Sequence, residues 1–178
     1  MRIISGTFKG RRFSPPKNFD ARPTTDFAKE NLFNILNNRV DWEEACALDL
    51  FSGTGNICVE FISRGCPQVT GVEKNPVHAR FIKKVTDELK IENLRLYTMD
   101  VFRFLESNRE KFDLIFADPP YDMPALEKIP QLILEKDVLK QGGIFVMEHS
   151  KKNDFSQLPL FAEKRVYGSV NFSIFEKE

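Results

Sequence analysis

No run in the 178-residue chain approaches the eighteen or so apolar residues that a membrane-spanning helix needs. An apolar segment of the kind that directs secretion is also missing after Arg2, so a cytoplasmic location away from membranes is expected. Cysteine is scarce, and Cys46, Cys58 and Cys66 form no CxxC pair. That argues against a disulfide framework or a zinc site and marks them as small core residues; no metal is expected. Internal repeats, low-complexity tracts and flexible linkers are absent, while an apolar content of 42% suffices for one core. Residues 1–178 are expected to form a single domain, with 1–22 as a basic hairpin extension, 23–40 as a helix and 41–178 as the main body.

Net charge is lacking as well, since 26 cations balance 26 acids. The balance is uneven along the chain. Residues 1–22 carry Arg2, Lys9, Arg11, Arg12, Lys17 and Arg22 against Asp20 alone, a segment suited to an anionic partner such as nucleic acid.

What is present is an alternation of short Val-, Ile- and Phe-rich runs with longer helix-like segments, the pattern of a mainly parallel sheet flanked by helices. Strands are predicted at 45–51, 68–73, 94–98, 112–117, 144–148, 161–167 and 170–175, the last two joined as an antiparallel hairpin by Gly168-Ser169. Asn75-Pro76 predicts a helix start, with Val77, Phe81, Ile82, Val85 and Leu89 on its apolar face. Thr24-Thr25-Asp26 precedes a second amphipathic segment containing Phe27, Leu32, Ile35 and Leu36. Asp100 can cap a further short helix.

LDLFSGTGNICVE places a buried strand ending at Phe51, then Gly53 and Gly55, then a helix. This is the arrangement that brings backbone close to a ligand at a sheet's carboxyl edge. The third glycine of a dinucleotide fingerprint is replaced by Cys58, which weakens a pyrophosphate reading. Glu73, twenty residues after Gly53, is aimed to accept from a ribose diol. Asp100 and the amide of Val101 suit an adenine edge, unless Asp100 serves only as a helix cap. Asp49 lies inside the first strand's end, four positions before Gly53, at a depth where a carboxylate needs a partner, and a ligand ammonium is one. Ribose, adenine and ammonium together describe S-adenosylmethionine.

FDLIFADPPYDM then ends a strand on Asp118, Pro119, Pro120 and Tyr121. Proline has no N–H, so the turn offers carbonyl oxygens and a carboxylate with few competing donors. Such a lining can grip both N–H bonds of an exocyclic base amine and take up positive charge as the nitrogen is methylated. Tyr121 adds a ring for the target base, which must be unpaired or flipped out.

With these motifs together, the chain resembles the bacterial 16S rRNA guanine-966 N2-methyltransferase family, through MRIISGTFKGRRF, RPTTDFAKENLFNIL, LDLFSGTGNICVEFISRG, VEKNP, Asp100, FADPPY and the two-strand tail. The resemblance implies a class I methyltransferase fold, an α/β Rossmann-like architecture with a seven-stranded mostly parallel sheet. It also implies S-adenosylmethionine as donor, and as acceptor 16S rRNA in a small ribosomal subunit or assembly intermediate, with no obligate protein partner. It places Asp49, Phe51, Gly53, Gly55, Glu73, Asp100 and Val101 at the donor and Asp118 to Tyr121 at the target amine. The Arg22-Pro23-Thr24-Thr25 stretch is similar to one that closes over the donor and faces RNA, and Arg2, Lys9, Arg11, Arg12, Arg22 and Lys29 are the expected RNA contacts. Relatives commonly carry two arginines after RPTTD, where this chain has Phe27-Ala28-Lys29. Two other readings remain open from the residues: a DNA amino-methyltransferase, for which the chain leaves little length for a recognition domain, and a non-catalytic RNA-binding module that keeps a nucleoside pocket.

Overall fold

The predicted apolar runs become seven strands of one sheet in a computed structural model that describes residues 1–15 and 25–178. In chain order the elements are α1 (Asp26–Leu36), β1 (Cys46–Leu50), α2 (Asn56–Ser63), β2 (Gln68–Val72), α3 (Pro76–Leu89), β3 (Leu94–Tyr97), α4 (Val101–Ser107), β4 (Phe112–Ala117), α5 (Lys128–Glu135), β5 (Leu139–His149), β6 (Phe161–Tyr167) and β7 (Val170–Glu176). The strand order is β3-β2-β1-β4-β5-β7-β6. β1 to β5 pair in parallel, whereas β7 runs antiparallel between β5 and β6. The chain reverses direction across the sheet between β1 and β4, and at such a switch point two strand ends diverge to open a crevice.

Helices cover both faces, which explains why central strands read as continuous apolar runs. One core layer joins α1 and α2 to the sheet through Phe33, Phe61, Phe116 and Phe172, and the other packs Phe104, Ile129, Phe145 and Phe175 on the opposite face. Cys58 and Cys66 are buried in the first layer, Cys46 is half-buried, and all three are free thiols. No helix among the described residues is long and apolar enough to cross a membrane.

Four details differ from the sequence reading. β5 begins at Leu139, five residues earlier than expected, because a register irregularity opposite Phe112 and Leu114 carries the ladder through Gly142-Gly143. α5 is a helix that alternation alone does not single out; Pro130 lies in its first turn, where no intrahelical N–H bond is lost. Val77 is 46% exposed, since α3 buries Ala79, Ile82, Val85, Thr86 and Leu89 instead. In α1 the buried residues are Ala28, Lys29, Leu32, Phe33 and Leu36, with Phe27 outside.

The N-terminal segment is a looped arm, and its only ladder bridge among the described residues joins Arg2 and Arg12. It lies along α2. Glu60, fully buried, accepts from the amides of Ile4 (2.8 Å) and Ser5 (3.1 Å), while Thr7 N donates to the Ser63 carbonyl at 2.7 Å. Ile3 and Phe13 fill a small apolar patch with Val59, Val85 and Leu89. Gly6 sits at φ +78°, where an added Cβ would lie 1.6 Å from the Ser63 carbonyl oxygen. Gly6→Ala is therefore expected to destabilise the protein by about 3 kcal/mol through clash and left-handed strain. Gly10→Ala, with φ +83° and nothing within 4 Å, is the control and should cost only about 1 kcal/mol. Equal denaturation midpoints for the two variants would show that the arm does not dock on α2.

Candidate active site

The carboxyl ends of β1, β2 and β4 meet at one edge. Phe51, directly after β1, is held at φ 83°, a strained conformation for a non-glycine residue of the kind that clusters at functional sites. Its amide and that of Ser52 both donate to the Val72 carbonyl, at 3.1 and 2.9 Å, which folds the loop back over β2. Gly53 and Gly55 follow in the left-handed region at φ 52° and 75°, and a Cβ on Gly55 would meet Ile82 at 3.0 Å. The loop approaches α3 too closely for a side chain there.

Beneath this loop Asp49 is 1% exposed. Its Oδ2 accepts from the Cys58 thiol at 3.1 Å, whereas its Oδ1 is buried with no hydrogen-bond partner. Burial pushes the Asp49 carboxyl up to about 7, outweighing the thiol hydrogen bond. A carboxylate oxygen left unpaired at that depth calls for a donor or cation from a ligand. A ligand that carries a cationic group supplies the partner this oxygen lacks.

Glu73, 8% exposed, is engaged in shaping the loop: Oε2 accepts from Gly53 N at 2.8 Å and Oε1 from Asn75 N at 2.7 Å. A carboxylate has about four acceptor sites, so these bonds leave capacity for a diol. Asp100 caps α4, with Oδ1 accepting from Phe102 N at 2.9 Å and Arg103 N at 3.4 Å; Val101 is buried behind it. The cap reading of Asp100 is correct, and it leaves Oδ2 and the Val101 amide at the third strand end.

Across the switch point β4 ends at Ala117, paired with Met147 of β5, so Asp118 and Glu148 follow on neighbouring strands. Asp118 is half-buried, Pro119 buried and Pro120 exposed. The Pro120 carbonyl accepts from Met123 N at 3.0 Å, which tightens the turn. Tyr121 donates its hydroxyl to Glu148 Oε1 at 2.9 Å, and Glu148 is 3% exposed. Glu148 thus fixes the tyrosine ring, a pairing the sequence reading did not assign; its only sequence signal was an acid at a strand end. His149, to which the sequence assigns no catalytic role, is fully buried with Nε2 2.8 Å from Ser173 Oγ and Nδ1 2.8 Å from the Ser150 carbonyl. Burial lowers its pKa.

Of the expected RNA contacts, Lys9, Arg11 and Arg12 are exposed. Arg11 reaches Glu88 at 3.0 Å and lies 5.7 Å from the Phe13 ring centroid. Arg2 and Arg12 lie near the start of α2, while Lys9 lies about one helix length away, roughly 10 Å, beside Ser63. Lys29 must be corrected. It is fully buried, and its ammonium donates to the Arg2 carbonyl (2.6 Å), Asn56 Oδ1 (2.8 Å) and Glu60 Oε2 (3.1 Å). Three donors meet three acceptors, which holds a desolvated cation inside the fold and out of reach of RNA. Thr25 caps α1, accepting from Ala28 N at 3.2 Å. Arg22 and Thr24 lie outside the described residues.

A groove of about 560 Å³ beside Arg39, Glu163 and Glu176 lies at the opposite edge and is lined by their ion pairs. It is remote from these carboxylates.

Comparison with known proteins gives one family model, described as conserved hypothetical protein 95, matching residues 1–176. Ribosomal RNA small subunit methyltransferase D of Haemophilus influenzae is 32% identical over 155 residues, covering 85% of this chain and 79% of its own. The protein of the same name from Escherichia coli K12 is 28% identical over 181 residues, covering 100% and 90%. Among solved structures, a hypothetical protein of Thermus thermophilus superposes with a TM-score of 0.87 at 30% identity, covering 99% of each chain.

Proposed function

The chain belongs to the conserved hypothetical protein 95 family, and we propose from that membership and from the site that it methylates the N2 amine of a guanine in 16S rRNA. Its methyl donor is S-adenosylmethionine, which when bound supplies an electrophilic methyl group on a sulfonium. The acceptor on this reading is the rRNA of a small ribosomal subunit or an assembly intermediate in the cytoplasm. One observation carries the proposal: a buried, unpartnered Asp49 oxygen lies under a glycine loop on β1, paired in register with the end of β4 from which the Asp118-Pro119-Pro120-Tyr121 turn leaves.

Each residue then has a task. Asp49 receives the donor's ammonium, the Gly53 to Gly55 backbone leaves room for its nucleoside, and Glu73 and Asp100 offer acceptors to ribose and adenine. Asp118 and the Pro119 carbonyl accept the two N–H bonds of the target amine, concentrating its lone pair toward the methyl. As the N–C bond forms, the sulfonium's S–CH3 bond would break to leave a neutral thioether, the nitrogen would become strongly acidic, and Asp118 would take its proton. Tyr121, held by Glu148, presents its ring to the base. Alignment supplies much of the remaining rate, because two held reactants avoid the entropy cost of meeting.

The test is incubation with labelled donor and small-subunit particles from a strain lacking the activity. Label is expected in 16S rRNA as N2-methylguanosine. Unlabelled rRNA, or faster labelling of duplex DNA, would overturn the proposal.

A further inference from the structure

α1 sorts two of its side chains against their chemistry. Lys29 is fully buried, while Phe27, two residues earlier, is 65% exposed, the highest among the described large apolar side chains. A phenylalanine left in water forgoes the burial its type normally takes. Its position suggests why. Phe27 packs edge-on against Tyr167, with ring centroids 6.0 Å apart and planes at 83°, so one ring buttresses the other.

Tyr167 closes β6 and pairs with Val170, the neighbour of Asn171, which in turn pairs with His149 at the carboxyl end of β5. The aromatic pair therefore stands at the same sheet edge as the catalytic turn. Three strand spacings, about 14 Å, separate Tyr167 from the end of β4. Cations flank it. Arg2, its side chain 38% exposed, lies 2.9 Å from Asp26 as an ion pair whose N–H is not aimed at the oxygen. Arg165, 45% exposed, precedes Tyr167 by two residues on the same face of β6 and pairs through one guanidinium nitrogen with Glu163 at 2.5 Å.

We infer that Phe27, backed by Tyr167, is a stacking platform for an unpaired nucleobase flanking the target nucleotide in the RNA substrate. This rests on the rRNA methyltransferase reading. A strand that delivers one extruded base to the crevice must continue along the same edge, and an exposed ring between two cations offers a π-face for the next base and charge for its phosphates. Each guanidinium keeps further N–H donors beyond the one facing Asp26 or Glu163, a set that suits phosphate oxygens, so RNA is the favoured occupant.

The experiment uses the full chain with small-subunit particles. Phe27→Ala should weaken particle binding by about 5- to 100-fold. Donor affinity and the denaturation midpoint should stay as in the wild type, and Phe27→Trp should retain binding. Because stacking releases no counterions, the slope of log affinity against log salt should be unchanged for Phe27→Ala, whereas Arg12→Ala should flatten it. With p-benzoylphenylalanine placed at position 27, light should crosslink the chain to rRNA. Unweakened binding by Phe27→Ala, an altered salt slope, a loss that Phe27→Trp shares, or a crosslink only to a particle protein would each overturn the platform. A wild-type chain that leaves rRNA unmethylated would instead overturn the reading beneath it.

Discussion

Asp118→Asn lowers kcat by about 10²- to 10⁴-fold and leaves donor affinity within about twofold of wild type; this is the expected result, and it follows from what the turn lacks. Pro119 and Pro120 remove two backbone donors, and the Pro120 carbonyl is already turned toward Met123 N. The Asp118 carboxylate is the charged acceptor of the turn that follows β4. An asparagine is close to isosteric but places an NH2 group where the amine must be gripped, and it cannot take a proton. On the proposed reading the donor contacts lie at the ends of β1, β2 and β3, which the change leaves untouched. Parallel kinetics and equilibrium donor binding check this. A substitution that weakens donor binding as much as it slows turnover would place Asp118 with the cofactor instead of the base.

The second large effect belongs to Asp49. Its carboxyl is raised from an ordinary value of 3.8 to about 7 by burial. Between those values the folded chain keeps a proton that the unfolded chain has released. The stability this group contributes is therefore full below about pH 4 and is lost as pH rises through about 7. A cationic donor reverses the preference by favouring the carboxylate. Donor affinity should rise as pH increases toward about 7 and level off above it, and binding at pH 6 should release close to one proton. Asp49→Asn should abolish the proton release and weaken donor binding by about 30-fold or more, because the ligand ammonium would be buried without its counter-charge. Calorimetry in buffers of different ionisation heat measures both. Donor affinity independent of pH between 5 and 8 would contradict the assignment.

Much of this architecture was legible in residue order, and the exceptions share a cause. β4 and β6 fall at their predicted bounds, and Gly168-Ser169 joins β6 to β7 as expected, because short apolar runs and turn residues are local signals. The glycine loop and the DPPY turn were readable because each needs particular residue types within a few positions. What escaped depends on partners far along the chain. Lys29 looked like a surface cation until α2 brought Glu60 and Asn56 to it, 31 and 27 positions away. Glu148 gained its role from Tyr121, 27 positions away, and His149 was buried by Ser173 and Phe155. Glu73 was readable as a strand-end acid, but its bond to the Gly53 amide was not, since it exists only once β1 and β2 lie side by side. Phe27 could not be recognised as exposed from spacing that suits an apolar face.

A crystal structure of the chain with a bound donor analogue tests the central claim most directly. The position of the transferable methyl should open onto a space walled by the Asp118 carboxylate, the Pro119 carbonyl and the Tyr121 ring, with room for a purine amine about 3 Å from the methyl. A methyl directed away from that turn, or an analogue seated without contact to Asp49, would contradict the account.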